Sequence, residues 1–500
     1  MKKTLRRTAF KLFSAALVSL VLTLGGLSLA QGGGVLQIGV NGDIDNFDPA
    51  FNQLIQYSAT IGGTVFNALV SLDENMNIVP GLAESWEQVD DTTWVFNLRQ
   101  GVTFHNGDAF SVADVLHTFD RTLEQGLIFA NKLEPIAEAE AVDDHTLRLT
   151  LEFPVATLLD DLTLVAITPQ GVTDEDLKQN PVGTGPFRFV SWTPNETTVL
   201  ERNPDYWEAG KPALDGITLR VLGDAATRIA NLLSGEVDAL YDVPVADAQA
   251  VAGDPNVVFQ QPSASGSLFL IELGIANNEA LQDQRVRRAL AHALDKETIQ
   301  QVAYFGQGEI ICSPLPAFSW AYEAQDCPAF DLEQAAALLA EAGHSDLELG
   351  IEVISGVKVM EDIATIWQAS LAEIGVTLNV NSTAVSIWLD RYIGKTYDMT
   401  TNWFNLSADP NSMFDIIYKP LLDNVYDNEP MRAKILEAAS LSDQSARTEI
   451  YQELQRETVE TIAPLIVVQS QPLLALTSSS VEGWKMNGKN LLLLNDVTVE

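Results

Sequence analysis

Apolar positions along the chain switch many times between the two-residue repeat of a strand and the three-to-four-residue repeat of an amphipathic helix. Leu36 to Val40 reads as a strand and Tyr57 to Leu69 as a helix. The richest stretch is Leu98 to Arg121. Trp94, Phe96 and Leu98 share one strand face, and Val102 and Phe104 continue the alternation after Gln100-Gly101. Asn106-Gly107 signals a turn, and Ser111 with Asp114 reads as a capping box. Val112, Val115, Leu116, Phe119 and Leu123 then recur at helical spacing. Further on, Asp224 caps a helix through Leu233, Asp331 caps one that ends at Gly343, and Pro430 sits in the first turn of a third. Between them lie strand-like runs at Leu147–Leu151, Phe187–Trp192, Thr197–Glu201, Ile217–Val221, Leu268–Leu273, Leu347–Ile354, Val376–Val380, Tyr397–Asn402 and Leu465–Val468. Such interleaving predicts a mixed α/β chain. No internal repeat or low-complexity linker interrupts it.

The first 30 residues depart from this pattern. Lys2, Lys3, Arg6, Arg7 and Lys11 precede an apolar run from Leu12 to Leu29, and Ser28-Leu29-Ala30 offers a cleavage site. This is the signature of a secretory leader. The Arg6-Arg7 pair raises twin-arginine export, but Phe10 stands one place too late for that pattern. No cysteine follows the apolar run, so lipid anchoring is not indicated. Export leaves about 470 residues, enough for two or three lobes. The longest later apolar stretch, Ile462 to Leu476, is broken by Pro464, Gln469, Gln471 and Pro472, so a soluble mature protein is expected.

Charge narrows the choice of partners. The formal charge is −39, and loss of the five basic leader residues takes it to −44. Such a surface repels phosphate backbones and anionic lipid, which disfavours nucleic acid and membrane surfaces. Cys312 and Cys327 are the only cysteines. In an exported protein they are expected to form a disulfide worth ~3 kcal/mol, with two free buried thiols as the alternative. Two sulfurs without a nearby histidine are too few for a metal site.

Signs of catalysis are sparse. Ser355-Gly356-Val357-Lys358 matches Ser-x-x-Lys, but no Lys-Thr-Gly partner follows, and no Gly-x-Ser-x-Gly elbow occurs. The five histidines are scattered, without His-Glu-x-x-His. Gly183-Thr184-Gly185 runs into proline and aromatics rather than a third glycine and a helix, so it does not cradle phosphate. A carboxylate pair for hydrolysis stays open, because 68 acidic residues supply many pairs. Two polar-aromatic segments suit ligand binding better: Asp43, Asp45, Asn46, Phe47, Asp48 and Pro49 after one strand, and Trp403, Phe404, Asn405, Asp409 and Pro410 after another. The competing reading makes the tryptophan core and the aspartates turn and cap residues.

Several blocks, in order, resemble the peptide/nickel-type extracytoplasmic solute-binding proteins (family 5) of ABC importers. They are Pro80 to Trp86, Leu98 to Arg121, Gly183 to Trp207, Arg285 to Leu290 with Ala293 to Lys296, Ala335 to Gly343 and Leu371 to Val376. The resemblance implies a two-lobed periplasmic-binding-protein-like clamshell with an extra subdomain in the first lobe. It also implies a non-catalytic, monomeric, extracytoplasmic protein without a cofactor, serving a permease and ATPase pair. With boundaries at Gln260–Ser267 and Gln469–Pro472, the expected layout is a leader at 1–30, a first lobe at 31–267 with its subdomain at about 66–180, a second lobe at 268–471, and a return to the first lobe at 472–500.

The expected contacts are Asp43, Ile44 and Asp45 on the first lobe facing Trp403, Phe404 and Asn405 on the second, with Asp409 as the charged contact. Relatives that hold free peptides place an aspartate shortly after the tryptophan, but here that count reaches Leu406. The carboxylate-binding arginine of dipeptide binders falls near Ile354, and no arginine lies between Arg288 and Arg391. Both departures argue against a zwitterionic dipeptide and favour an oligopeptide held by its backbone. A neutral solute such as an oligosaccharide is the alternative. A secreted carboxylate-based hydrolase and a holdase for unfolded segments are readings from other classes.

Overall fold

The computed structural model describes residues 33–51, 58–262, 267–344, 346–405, 407–419 and 427–500. The leader expected at 1–30 and Leu406 lie outside them. Strand β1 (Val35–Val40) opens the chain. Two hairpin pairs follow: β2 (Ala83–Gln88) with β3 (Thr93–Leu98), and β4 (Ile136–Asp143) with β5 (Thr146–Leu151). Helix α1 (Val112–Glu124) lies between them. The chain continues through β6 (Phe187–Thr193), β7 (Thr197–Arg202), β8 (Gly216–Val221), α2 (Ala225–Ser234), β9 (Ala239–Leu240) and β10 (Val257–Gln260). It then builds β11 (Ser267–Leu273), α3 (Leu332–Ala342), β12 (Glu348–Ile354), β13 (Thr377–Thr383) and β14 (Met399–Asn405). Helices α4 (Pro410–Ile417), α5 (Glu429–Ser440) and α6 (Gln444–Thr461) lead to β15 (Leu465–Gln471) and β16 (Ala475–Ser478).

Three sheets organise these elements. The first has seven strands in the order β10-β16-β9-β1-β8-β7-β6, with β1 parallel to both β8 and β9. The second has five, β13-β12-β14-β11-β15, and the third is a four-stranded side sheet, β2-β3-β5-β4. This is an α/β clamshell with two sheet-containing lobes and an extra subdomain. The chain passes between the two large sheets twice, from β10 to β11 and from β15 to β16. β10 and β16 are neighbours in one sheet, while β11 and β15 are neighbours in the other.

Local chemistry accounts for the element ends. The Ser111–Asp114 capping box opens α1, with the Ser111 backbone N–H donating to Asp114 Oδ2 at 2.9 Å. The Asp224 side chain caps α2 by accepting from Thr227 N, and Asp331 caps α3 by accepting from Gln334 N. Each sheet is held by apolar burial. Leu36, Ile38 and Val40 of β1 pack with Phe187, Leu200 and Ile217. All seven residues of β11 are buried, because both faces of its sheet are covered. Phe269 and Ile271 meet Ile351, Val353 and Trp367 on one face, and Leu268 and Leu270 meet Phe414, Tyr418 and Tyr451 on the other.

The Leu98–Arg121 stretch makes a joint. His105 Nε2 lies 3.0 Å from the Gly185 carbonyl, and the Gly183 N–H points at His105 Nδ1 at 3.4 Å. Burial, opposed by that carbonyl, pushes the imidazole down to about 4, so it is neutral at physiological pH. Gly183 must be glycine here. A Cβ would stand 2.0 Å from the Val65 carbonyl oxygen.

Two expectations need correction. The helix expected from Tyr57, which lies outside the described residues, to Leu69 stops at Val65 and Phe66 turns extended, because the Val65 carbonyl that a longer helix would bond to Leu69 N–H accepts from Gly185 N–H at 2.9 Å instead. The strand expected to end at Asn402 runs to Asn405, paired residue by residue with Phe269, Leu268 and Ser267. Trp403, Phe404 and Asn405 are therefore strand residues and not a loop.

Cys312 and Cys327 are joined as a disulfide, with Cα atoms 5.3 Å apart. The buried Lys296 amine lies beside it, with Nζ 2.6 Å from Cys312 Sγ and 2.6 Å from the Val467 carbonyl. Burial pushes this amine down to about 7. An unfolded lysine keeps its proton to about pH 10, so between those values the unfolded state binds more protons and stability rises with pH. This contribution is at most about 1.4 kcal/mol per pH unit. Denaturant unfolding between pH 7 and 9 is expected to show that slope in the native chain and lose it in Lys296→Met. Parallel pH profiles in the two proteins would refute it.

Candidate functional site

On the first lobe, the turn after β1 is a chain of side-chain-to-backbone bonds. Asp43 accepts from Trp192 Nε1 at 3.1 Å and from the Asn195 backbone N–H at 2.6 Å. Asn46 Oδ1 accepts from Asp48 N at 3.0 Å, and Asp48 Oδ1 from Ala50 N at 3.0 Å. Asp43 therefore positions Trp192, whose ring lies edge-on to buried Phe47 with centroids 5.4 Å apart. Ile44 is buried in the first-lobe core, and Asp45 is exposed at the tip. Below them Asp48 is fully buried and paired with Arg121 of α1, which also reaches Asp174 at 2.7 Å.

On the second lobe, consecutive residues of β14 point to opposite faces. Trp403 packs half-buried against the Phe269 side, while Phe404 packs against the Leu268 side. They cannot present both rings to one ligand face. Asp409 sits at the N-cap of α4, where its side chain accepts from Asn411 N at 2.8 Å and from Arg447 at 2.6 Å. Burial raises its carboxyl above the ordinary value, and Arg447 counters that rise. The sequence brought Asp409 forward as a ligand contact; the structure places it in a buried ion pair.

The lobes meet through residues that sequence reasoning did not single out. Asp160, in the side subdomain, accepts from Ser407 Oγ, from Ser412 Oγ at 3.2 Å and from Ala408 N at 3.3 Å. Lys489, on the chain's return segment, completes the shell at 3.0 Å. Burial pushes the Asp160 carboxyl up, but Lys489 and Ser407 outweigh it and hold the group below the ordinary carboxylate range. With a depressed folded value, the stabilisation is present above the ordinary aspartate value and is lost as pH falls through the lowered one. Nearby, Leu72 and Met76 pack with Phe318 and Ala408, and Val245 of the first lobe packs against the second lobe's core. No sequence signal marks Asp160, which is one of 68 acidic residues.

Asp160→Ala removes three contacts to the second lobe and is expected to weaken closure by about 2 kcal/mol. Small-angle scattering should report a larger radius of gyration. An unchanged profile would mean that the lobes are held together elsewhere. Past the end of β9, beyond Tyr241, Asp242 adopts a positive φ of 54° shortly before the helix Val245–Ala248. Burial raises its carboxyl, partly offset by Arg228 and the Asn41 side chain. Among the described residues, no group of three or more His, Cys, Asp or Glu side chains is arranged to hold a metal ion.

Known proteins share this architecture. The family described as bacterial extracellular solute-binding proteins, family 5 Middle, matches residues 77–422. Heme-binding protein A of Haemophilus influenzae is 31% identical over 469 residues, covering 84% of each chain. Di/tripeptide-binding protein 1 of Pseudomonas aeruginosa is 28% identical over 472 residues, covering 83% of this chain and 85% of its own. Among solved structures, the ABC transporter-associated periplasmic binding protein DppA from Helicobacter pylori, in complex with peptide STSA, matches with a TM-score of 0.78 and 26% identity. That match covers 94% of this chain and 99% of the other. The fold and family are those of binding proteins, which removes the hydrolase alternative. The chain belongs to the bacterial extracellular solute-binding proteins of family 5.

Proposed function

We propose that this protein is the solute-capturing subunit of an ABC importer, exported by its N-terminal leader, and that its ligand is an oligopeptide held mainly through its backbone. One observation carries the reading. The chain crosses twice between neighbouring strands of two sheets, which makes a paired hinge between lobes at 31–267 plus 472–500 and at 268–471. Ligand contacts to both lobes favour the closed state, and the permease reads that state. Peptide ligands are supported by the names of the Pseudomonas and Helicobacter relatives.

Backbone recognition is supported by how the charges are used. Asp409 is committed to Arg447, and Arg391, the first arginine after Arg288, pairs with Glu352. A ligand met by few free charges is bound through hydrogen bonds and stacking. We assign stacking to Trp403 and the facing surface to the turn at Asp43 and Asp45, seated on buried Ile44, with Asn405 at the end of β14.

Mass spectrometry of small molecules released from natively purified protein identifies the ligand class directly. Thermal shift follows with peptides of two to nine residues and with oligosaccharides. A true ligand at 100 times its Kd stabilises by ~2.7 kcal/mol. Melting curves unmoved by every peptide would overturn the reading, and a shift with oligosaccharides alone would replace it with the neutral-sugar alternative. Trp403→Ala is expected to weaken binding about tenfold with the fold intact. Unfolding of that variant would instead assign Trp403 to the core.

A further inference from the structure

We infer that the Cys312–Cys327 bond is a thiol-exchange site, attacked at Cys327 by an external thiol, with Lys296 positioned to receive Cys312 as the leaving thiolate. The two sulfurs have opposite surroundings. Cys312 is 5% exposed, and its sulfur lies 2.6 Å from Lys296 Nζ. Cys327 is partly exposed, its sulfur is 3.9 Å from that amine, and its chain neighbour Asp326 is an exposed acid. Access and charge therefore agree. A thiolate from solvent reaches Cys327 Sγ first, and the sulfur expelled is the one beside the Lys296 amine, which holds a proton against the thiolate as it forms.

Among the described residues, no anion pairs with the Lys296 amine. Its described neighbours there are the two sulfurs and the Val467 carbonyl. Burial costs an ammonium group heavily in such a place, and a thiolate at Cys312 supplies the missing counter-charge. A side chain that only filled space beside the helix Lys296–Ala303 would need no charge.

The chemistry balances with a thiol as reductant. An incoming thiolate forms a bond to Cys327 Sγ as the protein S–S bond breaks, and the electron pair leaves on Cys312. A second thiol, or the second sulfur of a dithiol, attacks the mixed disulfide and releases Cys327. The protein bond gains two electrons and the two external sulfurs lose two in forming their own disulfide. The loop between the cysteines carries Phe318, which packs with Leu72 and Met76 of the first lobe. Exchange at this bond thus frees a segment that touches both lobes.

The test uses the full native chain and the uncharged thiol 2-mercaptoethanol. Partial reduction at pH 7.5, acid quench and peptide mass mapping are expected to place the mixed disulfide on Cys327. A predominant adduct on Cys312 would overturn the proposal. In Lys296→Met the adduct should spread over both cysteines, and reduction by dithiothreitol should slow roughly tenfold. An unchanged rate and unchanged adduct site in that variant would remove Lys296 from the reaction. Melting curves recorded beside the mapping establish that the variant is folded, and altered stability alone would not move the adduct ratio. These readouts need no ligand, so they are independent of whether the protein binds peptides.

Discussion

Asp409→Ala is expected to destabilise the second lobe by about 3–5 kcal/mol, measured by urea unfolding at pH 7. The change leaves the Arg447 guanidinium buried without its anion, at 6% side-chain exposure. It also removes the cap of α4, worth about 1 kcal/mol on its own. Arg447 keeps neutral partners, the Ala438 carbonyl at 3.1 Å and Tyr451 at 3.2 Å, but neither balances its charge. Replacing both members, as Asp409→Ala with Arg447→Met, should recover part of the loss because no lone charge then remains buried. A loss below about 1 kcal/mol in the single variant would show that Arg447 is well solvated without Asp409. Asp409 would then again be available as the charged ligand contact suggested by its position after Trp403.

A similar loss, about 3–5 kcal/mol, is expected for Arg121→Leu. Asp48 is fully buried, and Arg121 is the cation that faces it. Burial alone would lower the arginine, but Asp48 and Asp174 outweigh it and hold the guanidinium above its ordinary range. Because Arg121 belongs to α1 and Asp48 to the turn after β1, the loss should reach the turn at Asp43 to Asp45 that we propose faces the ligand. Peptide binding is expected to weaken along with stability. If Arg121→Leu unfolded at the native denaturant midpoint, the pair would be ornamental to the fold.

Much of the framework could be read from the chain because its causes are local. The Ser111–Asp114 box and the caps at Asp224 and Asp331 act over three residues, and each appears where the residue pattern placed it. What could not be read depends on distant partners. Trp403 to Asn405 extend a strand only because Ser267 to Phe269 lie alongside, more than 130 positions earlier. The helix expected to Leu69 yields to Gly185, which takes the Val65 carbonyl from more than 100 positions away. The site was less readable still. The residue pattern singled out Asp43 and Asp409, but the roles they hold depend on Trp192 and Arg447, which no spacing rule connects to them. Asp160 acquires its role only when Ser407 and Ser412 arrive from the other lobe.

The two neighbouring crossings have a consequence for inheritance and for engineering. Residues 267–471 leave the first sheet beside one strand and return beside the next, so the second lobe is a cassette with adjacent ends. Two cuts, one before Ser267 and one after Gln471, would exchange it whole between relatives without rethreading the first sheet. Ligand preference could then be traded in a single recombination event, while the half that carries the side subdomain and the His105 joint passed on unaltered.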